Sequence, residues 1–116
     1  MTKPYDLEER TFEFARDIRV FVKTLPQTTA NFEDAKQLIK SSGSIGANYR
    51  EANEKLSKKD FLLRMKISRK EAKETLYWLQ LIHSTNNLSN TEEVNKLMNE
   101  VTELRKILSS IIEKSK

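Results

Sequence analysis

The sequence predicts an all-α fold, an antiparallel up-down-up-down four-helix bundle. Three observations lead there. The 116 residues include only two glycines and two prolines, too few turn formers for a β-sandwich or small barrel. Apolar residues recur in steps of three and four rather than two, the period of a helix with a buried face. Four such segments are joined by short polar connections, which makes consecutive helices antiparallel neighbours. This length allows one domain, or one protomer of an assembly. No repeat or long linker divides it.

The first helix is predicted over residues 7–25. Asp6 is a suitable N-cap, and Glu9 three residues on completes a capping-box-like pair. Leu7, Phe14, Ile18, Phe21 and Leu25 share one face, while Phe12 and Val20 lie off it. Pro26 ends the helix, because the residue before a proline avoids helical geometry. The second helix is predicted over 32–56. Ser41-Ser42-Gly43-Ser44-Ile45-Gly46 has the composition of a loop, yet Ala35, Leu38, Ser42, Ile45, Tyr49, Ala52 and Leu56 cross it without losing phase. Each interior glycine costs ~1 kcal/mol relative to alanine. Packing offsets this if Gly43, Gly46 and Ala47 let a neighbouring helix approach closely; a kink is the alternative.

The third helix is predicted over 58–83, starting after Ser57 with Asp60 in its first turn. Its core stripe is Phe61, Met65, Ala72, Leu76 and Leu79. A second apolar stripe, Leu63, Ile67, Trp78 and Leu81, lies on nearly the opposite face. A helix in a monomeric four-helix bundle keeps one solvent face, so this stripe is expected to meet another subunit. Tyr77 is assigned with Trp78 to the core or that interface rather than to base stacking. The fourth helix, over 91–113, carries Val94, Leu97, Val101, Leu104, Leu108 and Ile111 on one face.

Much chemistry is excluded. Without cysteine there is neither a disulfide nor a cysteine zinc site. A di-metal carboxylate bundle needs two Glu-x-x-His motifs, and the one histidine, His83, has Gln80 three residues before it. No nucleophile elbow is present. Gly43-Ser44-Ile45-Gly46 matches the GxxG clamp of KH domains, but that fold needs strands. A phosphate-binding P-loop is also missing. Glu51, Glu71 and Glu74 could form an acid–base cluster, though a structural network or solvated pairs is the simpler reading. The expectation is therefore a non-enzymatic protein with no catalytic residue, metal or cofactor. No run approaches the ~18 apolar residues of a membrane span, and no apolar signal core follows Met1. The expected compartment is the cytoplasm, with no membrane partner.

The formal net charge is +4, unevenly placed. Residues 50–73 hold nine basic and four acidic side chains, a local +5. Within it, Lys59, Lys66, Lys70 and Lys73 fall within ~60° of one another at ~100° per residue, with Arg69 nearby. Of the four, Lys70 alone has a carboxylate at helical spacing, Glu74. Lys66–Lys70 and Lys70–Lys73 are like-charge neighbours, each costing a few tenths of a kcal/mol. Either another helix or subunit supplies acids, or the stripe meets an anion such as RNA or DNA.

Two segments resemble a known family. Ser44-Ile45-Gly46-Ala47-Asn48-Tyr49-Arg50-Glu51-Ala52 is similar to the small-residue second helix of the bacterial four helix bundle proteins, also called 23S rRNA intervening-sequence proteins. Lys66-Ile67-Ser68-Arg69-Lys70-Glu71-Ala72-Lys73-Glu74-Thr75-Leu76-Tyr77-Trp78-Leu79 resembles their third helix. The resemblance implies an up-down-up-down bundle assembled as a ring-shaped homopentamer, encoded inside insertions in bacterial 23S rRNA genes. The family is also similar to accessory proteins of diversity-generating retroelements, basic pentamers that bind nucleic acid and a reverse transcriptase. The pattern carries no catalytic residues. Its polar positions here, Asn48, Glu51, Glu71 and Glu74, are expected to fix helix register by hydrogen bonding.

The leading expectation is an oligomeric bundle that binds RNA or DNA through the third helix. Its rivals are an adaptor that docks a protein such as a reverse transcriptase, and a structural product of a mobile rRNA insertion that binds no nucleic acid.

Overall fold

The computed structural model describes residues 6–54, 56–88 and 91–116; Lys55 of the basic segment and Ser89-Asn90 of the last connection lie outside them. Four helices follow in order: α1 (Leu7–Val22), α2 (Thr29–Ala52), α3 (Lys58–Thr85) and α4 (Thr91–Lys114). Each packs on its neighbour in sequence, and α1 also meets α4, so the bundle closes as an antiparallel four-helix array. The α2–α3 contact is the most extensive and the α1–α4 contact the sparsest.

Among the described residues, side-chain caps start α1, α2 and α3. The Asp6 carboxylate accepts from the Glu9 N–H at 3.2 Å, the Thr28 hydroxyl from Asn31 at 3.1 Å, and the Ser57 hydroxyl from Asp60 at 2.9 Å. Each satisfies an amide that has no partner inside the helix. Thr28 moves the start of α2 three residues ahead of the predicted position. At the other end, α1 stops at Val22 rather than Leu25, because Thr24 and Leu25 turn back onto Phe21 and Val22 with tight i→i−3 bonds. The α2 helix stops at Ala52 rather than Leu56. Ser57 must be extended to cap α3, at φ −162° and ψ 162°, so the chain leaves the helix first. Leu56, predicted as core, is consequently 82% exposed. The α3 helix runs two residues past its predicted end, to Thr85. There the Asn86 amide donates to the Ile82 carbonyl and pairs with Asn31 at the start of α2.

The core draws on all four helices, including Leu7, Phe14, Ile18, Leu38, Ile45, Met65, Leu79, Leu104 and Leu108. On α4 the buried residue after Leu108 is Ile112, with Ile111 half-buried. Eighteen residues make about five turns at ~3.6 per turn, so Ile112 stands directly in line with Val94, while a strict heptad count drifts off the face.

Both glycines lie inside a continuous α2. A Cβ at Gly46 would sit 2.7 Å from Thr11 Oγ1 and 3.1 Å from Thr11 Cβ, so the α1–α2 approach requires glycine there. A Cβ at Gly43 would meet only the end of the Arg19 guanidinium, at 3.2 Å. Ala47 is exposed beside them. Hydroxyls close the α2–α3 seam: Ser68 donates to the Ile45 carbonyl at 2.7 Å, and the Thr75 and Ser41 hydroxyls hydrogen-bond at 2.9 Å.

Candidate nucleic-acid interface

The predicted basic residues occupy the outward side of α3, because its other faces are committed to α2 and α4. Lys59, Lys66, Lys70 and Lys73 are exposed, and Arg69 is half-buried. None of the five has a carboxylate oxygen within 4.0 Å among the described residues. The i,i+4 spacing of Lys70 and Glu74 thus yields no ion pair. Weaker compensation comes from the flanks. Glu113 on α4 is held below the usual carboxylate range chiefly by its hydrogen bond to Lys116, with smaller contributions from Arg69 and Lys66. On the α2 side, burial pushes the Glu71 carboxyl above its ordinary value and the neighbouring Glu74 adds to this, while Lys70 and Lys40 oppose it.

Tyr77 changes the character of this face. It is 55% exposed, so of its two expected positions the core is ruled out, while a subunit interface is compatible with this exposure. It follows Lys73 by four residues and Lys70 by seven, spacings that share a helix face. Its ring meets Trp78 edge-on at 5.0 Å between centroids. The result is an exposed aromatic ring beside a row of cations. Periodicity could not reveal it, since an aromatic next to an apolar stripe reads equally well as core.

The second apolar stripe borders the lysines. Leu63 is 55% exposed, while Ile67, Trp78 and Leu81 are half-buried. The buried Trp78 Nε1 has no hydrogen-bond partner among the described residues. Trp78 borders a small polar notch of about 240 Å³ between α2 and α3, shared with Lys40, Lys70, Glu71 and Glu74.

The four residues expected to form one polar network are dispersed. Asn48 donates within its own helix to the Ser44 carbonyl at 2.9 Å, Glu51 is exposed, and Glu71 and Glu74 stand at the notch. Register within the chain is instead fixed by Ser68, Thr75, Ser41 and the Asn31–Asn86 pair, which polarity in the sequence did not single out. His83 is half-buried in the last turn of α3. Among the described residues no group of three or more His, Asp or Glu is placed to hold a metal ion, and no helix is long and apolar enough to cross a membrane.

Fold and surface together define a small helical-bundle protein whose distinguishing feature is a basic outer helix face. The chain belongs to the 23S rRNA-intervening sequence protein family, which it matches over residues 4–110, in agreement with the resemblance carried by α2 and α3. Among solved structures it is similar to a protein of unknown function of the S23 ribosomal protein family from Bacteroides thetaiotaomicron VPI-5482. The two are 39% identical over 90% of this chain and 96% of that chain, with a TM-score of 0.82. No match was found among curated proteins.

Proposed function

We propose that this protein is a non-enzymatic, homo-oligomeric bundle that binds single-stranded RNA or DNA along the outer face of α3. The observation that carries this reading is the row Lys59, Lys66, Lys70 and Lys73, free of ion pairs among the described residues and flanking an exposed Tyr77. Lysines spaced along a helix neutralise successive phosphates and release their counterions, and an exposed ring gives an unpaired base a stacking surface. Duplex recognition would not use Tyr77 in this way.

A single face of four lysines gives weak binding. Leu63, Ile67, Trp78 and Leu81 border it and favour burial against a second copy, which would repeat the stripe around an assembly and multiply its field. A homopentameric ring is the assembly that the family resemblance supports.

The test is a salt series of fluorescence-anisotropy titrations with single-stranded RNA and DNA. Wild type should bind with micromolar or better affinity at about 50 mM salt, with log affinity falling linearly in log salt. The Lys66→Glu/Lys70→Glu/Lys73→Glu variant should lose at least roughly tenfold and show a shallower salt slope. Equal binding by that variant would remove α3 as the interface. A stable monomer in sedimentation at micromolar concentration would remove the assembly.

A further inference from the structure

The outer face of the α1/α2 pair has a different character. A groove of about 490 Å³ runs between these helices. Its floor, Ala15, Gly43, Gly46 and Ala47, carries almost no side chain, Phe12 forms one wall, and Arg16, Arg19 and Arg50 rim it. Phe12 is 55% exposed. A second apolar groove, about 470 Å³, lies at the α1–α2 turn beside Phe32, which is 65% exposed. Fifteen residues of α2 separate Phe32 from Ala47, about 22 Å at ~1.5 Å per residue. An exposed apolar strip with a polar rim marks a contact surface on a soluble protein.

We propose that this face docks an acidic amphipathic helix of another protein. The shape fits. The channel between two antiparallel helices, floored by glycine and alanine, admits a third helix closely, and a helix of about four turns laid in it would reach the second groove at Phe32, where the Lys36 ammonium stands 5.4 Å from the ring centroid. The charge selects an acidic partner. Among the described residues the lining cations are three arginines, and no carboxylate lines the groove. Two of them have only loose carboxylate contacts, Arg16 at 3.7 Å from Asp17 and Arg50 at 4.0 Å from Glu8, and Arg19 donates to the Ala15 carbonyl at 2.9 Å and the Ile39 carbonyl at 3.5 Å with no carboxylate partner among the described residues. Arginine also pairs carboxylates bidentately at a contact rim.

Neither α3 nor α4 of a second copy supplies such a helix, and the exposed Phe12 and Val20 of α1 stand on a helix that itself carries Arg10, Arg16 and Arg19. The acidic residues of α4 accompany an apolar stripe that is already buried in its own core. The exposed Leu63 and Tyr77 of α3 stand among lysines, which the arginine rim would repel. A nucleic-acid strand is a poorer occupant than a helix, because the strip is mainly apolar and its cations are few. The inference is independent of the α3 reading: it concerns the opposite kind of partner on a different pair of helices.

The test uses the full chain as bait for a displayed library of amphipathic helices about 15 residues long, with fixed leucine anchors and randomised polar positions. Enriched sequences should be acidic. A synthetic peptide of the enriched sequence should bind the wild type and lose at least tenfold affinity for Gly43→Leu, whose Cβ would meet only the end of the Arg19 side chain and whose remaining carbons would fill the groove. The Arg16→Glu/Arg19→Glu/Arg50→Glu variant should prefer the Lys-for-Glu version of that peptide. Should Gly43→Leu fail to fold, Phe12→Asp replaces it, since that side chain lies outside the core. Enrichment of basic or charge-neutral helices overturns the proposal, as does undiminished binding to the groove variants. A change in sedimentation of Gly43→Leu would make the face a self-interface. Loss of single-stranded RNA binding on arginine reversal, with retention on lysine reversal, would make it the nucleic-acid site; either result also overturns it.

Discussion

The two sides of this bundle are built on different terms. Around α2 the helices approach closely: Gly46 lies against Thr11 of α1, and Ser41 and Ile45 meet Ser68 and Thr75 of α3 through direct hydrogen bonds. Opposite, the α1–α4 contact is the sparsest in the bundle. Their seam opens into a groove of about 510 Å³ above Phe14 and Leu97, edged by Glu13, Asp17, Glu93 and Glu103. It is bridged by Arg10, whose guanidinium donates two hydrogen bonds to Glu100 at 2.8 and 2.9 Å. Small residues and hydroxyls let backbones meet, whereas longer charged side chains hold them apart. The closed side owes its stability to shape, and the open side leaves room for solvent and adjustment.

Equivalent truncations on the two sides should therefore differ. Ile45 and Leu97 are both buried, at 0% and 3% exposure. Ile45→Ala leaves a cavity between helices pinned on both flanks, and its cost should lie near the upper end of the usual range, about 4 kcal/mol. Leu97→Ala removes the floor of an open groove that can relax or fill with water, so about 2 kcal/mol is expected. Urea unfolding midpoints with unchanged slopes measure both. Equal losses would mean that the seams are equally rigid.

The glycines divide the closed side further, with smaller effects. Gly46→Ala drives a methyl into the Thr11 side chain. Overpacking of this kind costs about 1–3 kcal/mol, partly offset by the ~1 kcal/mol that alanine gains in helix propensity. A net loss of up to about 2 kcal/mol follows. Gly43→Ala displaces only the end of Arg19 and should stabilise the chain by about 0.5–1 kcal/mol. Thermal midpoints moving in opposite directions would confirm that one glycine serves the α1–α2 contact and the other only the open groove.

Periodicity carried most of the fold. The stripe crossing Gly43 and Gly46 in phase is what distinguished a helix from a loop, and the helix is continuous. It left two hydroxyl residues out of the core stripe of α3. Ser68 and Thr75 lie in phase with Phe61, Met65, Ala72 and Leu79, and both are fully buried. A short hydroxyl can bond a carbonyl of its own or a neighbouring helix and so enter a core that a longer polar group cannot. Leu56 is the opposite case, since apolar phase does not reveal that the following residue must cap a helix. The lysine row was legible because α3 is regular, while the exposure of Tyr77 depends on how closely α2 and α4 wrap around α3. The arginine groove was hidden in the same way: a stripe tells which residues point inward, not how wide a seam opens outside them.

Charge behaves differently on the two sides as well, and this gives the smallest predicted effect. At the open seam the hydrogen bond to Glu100 raises the Arg10 pKa further, despite partial burial, so that charge is satisfied. At the rim of the closed seam Glu71 is raised above its ordinary value of 4.5, first by burial and then by Glu74. A carboxyl whose pKa is raised on folding binds its proton more tightly in the native state. Its contribution is fully present below the unfolded value and is lost as pH rises through the folded one. Ionised Glu71 is thus a mild liability at neutral pH. Glu71→Gln should raise the thermal midpoint slightly at pH 7 and leave it unchanged at pH 3.5. The difference should develop from about pH 4.5 upward. Removing this carboxylate also frees Lys70 and Lys40 from one opposing charge in the notch. The same variant should therefore bind single-stranded RNA slightly more tightly than wild type at pH 7, with a gain that vanishes at high salt. A stability change of the opposite sign would mean that Glu71 is held in its charged form by the lysines after all, and that the rim of the closed seam satisfies its charges as fully as the open one does.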